Sequence, residues 1–220
     1  MKRTIAVISA TRVSLAPVEE TAAALFPDVE LFHLMDEGMS YLAKKEGGIS
    51  GANLRRMASL VGKAEELGVD GILLSCTIFS PHIDLISAMA DVPVVAADVA
   101  MFETAARAYH RLGVVVTFGP TVKSVSAVLD RCRNNGMSFE AEIRVAEGAF
   151  DACARGDDEE HNRLVAACAR SMAPHSDVIV LSQMSQMRAV PLLKDLSVPV
   201  LTSPPVSMEF LMKKIEERAK

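Results

Sequence analysis

Apolar and polar positions follow two rhythms along this chain. Runs of five to seven residues rich in Val, Ile and Leu are separated by longer stretches in which apolar residues recur every three or four positions. The first rhythm predicts strands buried on both faces and the second predicts helices that cover them, so the pattern points to an α/β protein with parallel sheets. Eight strands are expected: TIAVIS (4–9), VELFHL (29–34), GILLSC (71–76), PVVAA (93–97), GVVVT (113–117), FEAEIRV (139–145), VIVLS (178–182) and PVLTS (199–203). Helices are expected over 53–67, with Asn53 as cap and Gly68 as stop, and over 158–173, where Asp157 and Glu160 stand at capping-box spacing. A last helix is expected over 206–219.

The eight strands fall into two matching sets of four. IAVIS and its polar turn pair with VVVT at an offset near 108, MDEG (35–38) pairs with VAEG (145–148), DGILLSCT (70–77) with DVIVLSQM (177–184) at 107, and VPV (92–94) with VPV (198–200) at 106. Four matches in one order predict two α/β lobes related by a pseudo-twofold axis, each a four-stranded parallel sheet flanked by helices. The expected division is 1–98, with the 206–219 helix packed back on it, and 99–205. In open parallel sheets ligands bind beyond the carboxyl ends of the strands. Facing lobes are therefore expected to line one cleft, with Ser9, Thr11, Cys76 and Thr77 on one side and Thr117, Thr121, Ser182, Gln183 and Ser185 on the other.

Composition narrows the picture. Half of the 220 residues are apolar, enough for a sizeable core, and the net charge of −5 is spread without a dense Lys/Arg stretch, which argues against a nucleic-acid partner. No apolar stretch approaches the roughly 20 residues that span a bilayer, so no membrane partner is expected, and the opening MKRTIAVISATR reads as a first strand rather than a signal peptide. Four cysteines at irregular spacing, outside CxxC or Cys/His ligand patterns, fit a reduced cytoplasmic protein without a metal site.

The candidate chemistry centres on LLSCTIFSPH (73–82), where an apolar strand ends at Ser75-Cys76-Thr77. A thiol at a strand end facing a helix N-terminus sees partial positive charge, so a lowered pKa and a reactive thiolate are expected for Cys76. Cys132, Cys153 and Cys168 lie among apolar residues at helical spacing and read as structural. Ser9, Thr11, Thr77, Thr117 and Thr121 come directly after strands, which suits either helix capping or holding an anion at helix N-termini. Glu147 and the Asp36-Glu37 pair sit at matching turns, as pocket carboxylates or first-turn helix residues. His82, six residues after Cys76, is a candidate for a chemical role, and His161 reads as a surface helix residue or loop anchor.

SCT (75–77), VVVTFGPT (114–121), the MDEGM and AEGAF turns and DVIVLSQMS (177–185) together resemble the aspartate/glutamate/hydantoin racemase superfamily over nearly the whole chain. EGAFDACARGDDEEH (147–161) is similar to a branch of it. The resemblance implies a cofactor-independent enzyme with a small carboxylate, carbonyl or amide substrate, in which one cysteine at the end of an equivalent strand in each half serves as acid or base on opposite faces of a carbon. It also implies a homodimer. Here Gln183 stands where the second cysteine is expected. Glutamine transfers no proton, but it donates and accepts hydrogen bonds and so can orient a carboxylate or stabilise an enolate. Three readings are compatible with this pattern: a racemase-like isomerase with Glu147 or His82 as second base, a one-cysteine decarboxylase, lyase or hydrolase, and a carboxylate-binding protein without turnover.

Overall fold

The computed structural model describes residues 2–219 and contains two four-stranded parallel sheets flanked by helices. The chain divides into one unit of Met1–Ala100 with Pro204–Lys220 and a second of Met101–Ser203. In chain order the first unit comprises β1 (Arg3–Ser9), α1 (Leu15–Leu25), β2 (Val29–Met35), α2 (Glu37–Glu46), α3 (Gly51–Glu66), β3 (Gly71–Leu74), α4 (Ile83–Ser87) and β4 (Val94–Ala96). Helix α5 (Ala97–Ala108) crosses the division. The second unit continues with β5 (Arg111–Val116), α6 (Thr121–Asn134), β6 (Glu140–Val145), α7 (Ala149–Ala154), α8 (Asp158–Met172), β7 (Val178–Leu181) and β8 (Val200–Thr202). From Pro204 onward α9 (Ser203–Arg218) belongs to the first unit.

All eight expected strands form, and the order is the same in each sheet: β2-β1-β3-β4 and β6-β5-β7-β8. The continuously apolar strands are the inner ones. β3 and β7 are buried at every position, as helices on both faces require, whereas the edge strands β2 and β6 keep part of their surface in water and carry His33, Glu142 and Arg144. An aspartate clamps the amino end of each sheet: Asp70 accepts from Thr4 N at 2.8 Å and from Arg3, and Asp177 accepts from Arg111 N at 2.8 Å and from its guanidinium at 2.7 and 3.0 Å. This explains why an aspartate opens both GILL and VIVL.

Helix boundaries differ from expectation in instructive ways. α3 starts two residues earlier than expected because Ser50, not Asn53, is its cap, accepting from Asn53 N at 3.4 Å, and Asn53 itself is fully buried in the first turn. Gly68 does come just after the helix at φ +70°, a conformation that favours glycine. α8 begins as expected, with Asp157 accepting from Glu160 N at 3.1 Å, but the Glu160 carboxylate turns outward to Arg163 at 2.6 and 2.7 Å instead of closing the box.

Two inner-strand glycines exist for space rather than for conformation. A Cβ on Gly113 of β5 would lie 2.5 Å from Ser176 Oγ and 2.8 Å from Ile179 Cδ1, and one on Gly71 would lie 2.9 Å from Ile215 Cδ1 on α9. Ser176 is buried and donates to Met172 O at 3.0 Å, so it cannot retreat freely. Gly113→Ala is therefore expected to lower stability by about 1–3 kcal/mol through overpacking. Urea unfolding reads this directly, and an unchanged midpoint would mean that the sheet has slack at this point.

Candidate active site

In the first unit the carboxyl end of the sheet brings together Ser9 at the end of β1 and Ser75-Cys76-Thr77 just beyond β3. Cys76 is the half-buried cap of a 3-10 turn, Thr77–His82, that leads into α4. The backbone N–H groups of Ala10 and Ile78 lie near enough to its sulfur to favour the charged form. Around the turn, Ser9 Oγ and Ser75 Oγ are 2.8 Å apart, Ser75 donates to Ser14 Oγ at 2.9 Å, and Ser14 reaches Ser9 Oγ at 3.3 Å. This closed triangle of buried hydroxyls engages Ser9, so its side chain is not free for the ligand-facing role that its strand-end position suggests. Thr77 is half-buried next to Cys76, and Thr11 is exposed on the turn after β1.

The expectation of a depressed thiol pKa is not met. Burial is the largest influence, and with the negative charge of Asp98 it pushes Cys76 up to about 12 against the lowering effect of the two amides. The expected lowering rests on a helix dipole behind the sulfur. Beyond β3 the chain forms only a six-residue 3-10 turn and a five-residue helix, too short to provide one. Burial raises the other thiols too: Cys132 to about 11, and Cys153 and Cys168 in direction.

Asp98, in the first turn of α5, is a member of this site that the sequence pattern does not single out. It is 3% exposed; its Oδ1 accepts from Ser80 Oγ and from Val99 N at 3.0 Å, while its Oδ2 has no hydrogen-bond partner among the described residues. The only hint in sequence is a carboxylate just after the apolar run VPVVAA, which reads equally well as a helix-start residue. Burial lifts this carboxyl to about 6, against the lowering bonds from Ser80 and the backbone. A folded-state value above the ordinary one means the native state holds this proton more tightly than the unfolded chain. Stability is thus fullest below about pH 4 and falls as pH rises to about 6. Asp98→Asn is expected to be no more stable than the parent near pH 4 but more stable by roughly 2–3 kcal/mol at pH 7.5. Denaturant titrations at the two pH values test this, and a difference that stays constant across the window would contradict it.

In the second unit the same local pattern recurs with a different ligand. The N–H of Thr117, the residue after β5, donates to Gln183 Oε1 at 2.6 Å; in the first unit Ala10, the residue after β1, stands near the Cys76 sulfur. Thr117 Oγ1 donates to the same oxygen at 2.9 Å. Gln183 also forms a reciprocal capping box with Gln186, whose Oε1 accepts from Gln183 N at 2.9 Å. A backbone donor fixes which end of the amide is oxygen, so the Gln183 NH2 is the end left for other partners. Thr117, Thr121 and Ser185 are buried nearby in sequence turns at this end of the sheet. The capping role weighed for Thr11 and Thr121 is not realised: neither helix start has a side-chain cap bond, and Asp36, Ser50, Asp157 and Gln183 do the capping.

The other candidates differ in how far they are engaged. Asp36 caps α2 through Gly38 N at 2.9 Å and pairs with Arg56 at 2.5 Å, and Glu37 pairs with Arg12 at 3.4 Å. Glu147 is exposed on the turn after β6, and His82 ends the 3-10 turn half-buried. His161 is not at the surface: it is fully buried, with Nδ1 on Ala149 O at 2.9 Å, so it anchors α8 to α7. Phe118 and Phe150 stack at 4.4 Å beside these turns, both partly exposed. A shallow depression lined by Arg111, Glu140, Glu142, His175 and Ser176 lies at the amino end of the second sheet, away from Gln183. Among the described residues no group of three His, Cys, Asp or Glu side chains is placed to hold a metal ion, and no helix is long and apolar enough to cross a membrane.

Each four-stranded parallel α/β unit thus places a polar residue, Cys76 or Gln183, just beyond an inner strand. The family model for Asp/Glu/Hydantoin racemase matches residues 6–211, and the chain belongs to this family. Its fold is similar to that of an aspartate racemase from Picrophilus torridus (TM-score 0.74, 13% identity, 97% of this chain and 94% of that one). It is likewise similar to an allantoin racemase from Klebsiella pneumoniae (TM-score 0.74, 18% identity, 98% and 89%). An unliganded arylmalonate decarboxylase is also similar (TM-score 0.64, 17% identity, 97% and 93%). None of the curated proteins matches the chain.

Proposed function

We propose that this protein is a cofactor-independent, racemase-like enzyme that moves a proton at the α-carbon of a small carboxylate, with Cys76 as the proton carrier. The observation that carries this reading is the place of Cys76 just beyond the carboxyl end of β3, at the start of a 3-10 turn, where the nearby Ala10 and Ile78 amides favour its charged form. Amides aimed at sulfur stabilise negative charge there, so the thiol can give up its proton and take one back. Gln183, locked by Thr117, serves as a fixed hydrogen-bonding group for substrate oxygen in place of a second thiol, with Thr11, Thr77, Thr121 and Ser185 around the substrate. A second base, if the reaction uses one, is Glu147 or His82.

The raised thiol favours a second reading, a one-thiol decarboxylase. There the bond to the leaving carboxylate breaks, CO2 departs, the electron pair stays on the α-carbon, and the thiol proton forms the new C–H bond. This chemistry needs an acid and no base, and Cys76 is neutral throughout the physiological range. A panel of small carboxylates and hydantoins screened by thermal shift, with hits taken on to NMR in deuterium oxide, separates the readings. Deuterium at an unaltered α-carbon supports proton transfer, with a rate that rises about tenfold per pH unit between pH 7 and 9 because thiolate is required. A lighter product formed at a rate flat in pH supports decarboxylation. Stabilising ligands that show neither change refute both and leave a binding protein.

A further inference from the structure

Asp98 is the buried charged group in the first unit that the proposed reaction does not yet use. Its Oδ1 is taken by Ser80, which lies on the same 3-10 turn that begins at Cys76 and is itself fully buried. Its Oδ2 is buried without a partner among the described residues, an arrangement that costs stability and calls for an explanation. β4, which leads into Asp98, packs against both the 3-10 turn and α4. We propose that Asp98 is a positioning residue for Cys76: through Ser80 it fixes the turn that carries the sulfur, and its buried carboxylate, bound to that turn, disfavours a second negative charge on it and so keeps the thiol in its proton-donating form.

This deepens the reading of Cys76 as the proton carrier and rests on it. A neutral thiol is the correct form for delivering a proton to a developing carbanion, and a nearby carboxylate disfavours a second negative charge while the site is empty. The other titratable groups on the elements packed against Asp98 are His82 on the turn and Asp84 on α4; along its own helix Glu103 is engaged by Arg107 at 3.1 Å. The direction of the field at Cys76 agrees, because Asp98 is among the influences that raise the thiol.

The test needs no substrate. Modification of Cys76 by a small methanethiosulfonate, read by peptide mapping from pH 5 to 9, reports the thiolate fraction. In the parent the logarithm of the rate is expected to rise by one per pH unit at both ends, with a shallower step near pH 6 where Asp98 ionises and makes the thiol harder to deprotonate. Asp98→Asn keeps the acceptor for Ser80 but removes the charge, so its profile is a single line, about three- to tenfold faster at pH 8. Ser80→Ala keeps the charge but loses a bond that holds the carboxyl down, so the step moves to higher pH. A parent profile without a step, or an Asp98→Asn rate within twofold of the parent at pH 8, overturns the proposal even if Asp98→Asn folds poorly, since the parent profile stands alone. Failure of the catalytic reading shows separately, as turnover that survives the loss of Cys76.

Discussion

Cys76→Ala is expected to lower turnover about 10³-fold or more while leaving ligand-induced stabilisation nearly intact. The size reflects the loss of a positioned acid–base group, which typically contributes 10² to 10⁴. Binding survives because the amides of Ala10 and Ile78 and the 3-10 turn remain in place when the sulfur is removed. Cys132→Ala is the control: that thiol is fully buried in α6 and has no role in the proposed reaction, so its loss is expected to affect stability and not rate. The assay is deuterium incorporation or product formation by NMR, with thermal shift for binding. Retained turnover in Cys76→Ala would end the case for thiol chemistry at this strand end.

Gln183→Cys is expected to change stereochemistry rather than speed. With one thiol, protons reach the α-carbon from one side, so the parent should yield or exchange a single enantiomer. A cysteine at 183 places sulfur just beyond β7 on the side of the Thr117 N–H that now holds Oε1 at 2.6 Å, as Cys76 stands just beyond β3 near the amide of Ala10. Exchange at the second face should then rise from undetectable to within about 10- to 100-fold of the first. The variant loses the Thr117 Oγ1 bond and the side-chain half of the capping box, a cost of about 1–2 kcal/mol that leaves the fold intact. Chiral separation of the deuterated product decides the matter. A parent that already interconverts both enantiomers at comparable rates would reveal a second base, and Glu147 and His82 are the first positions to replace.

The sheets are legible in the sequence because apolar runs such as GILL and VIVL leave few alternatives once helices cover both faces. Capping is less legible, since Ser50 and Asn53 are both good cap residues and only the backbone decides between them. The position of Cys76 is set by its strand, but its proton affinity is not. That depends on the depth of the turn, on the absence of a long helix behind the sulfur, and on Asp98, which is 22 positions later in sequence. Ser9 does stand at a strand end, yet its role is hidden from the sequence because Ser14 and Ser75 reach it only through the fold. His161 sits among charged neighbours in sequence and gives no sign there that it is enclosed against Ala149.

The contacts made by Ala10, Ile78 and Thr117 all come from the main chain. A backbone amide belongs to the fold whatever side chain its residue carries, so a main-chain donor at such a place does not depend on the side chains around it. The freely varying part is the group placed on the amide. Sulfur in one unit and a carboxamide in the other stand at matching places just beyond an inner strand, each at the start of a 3-10 turn and each beside a main-chain N–H.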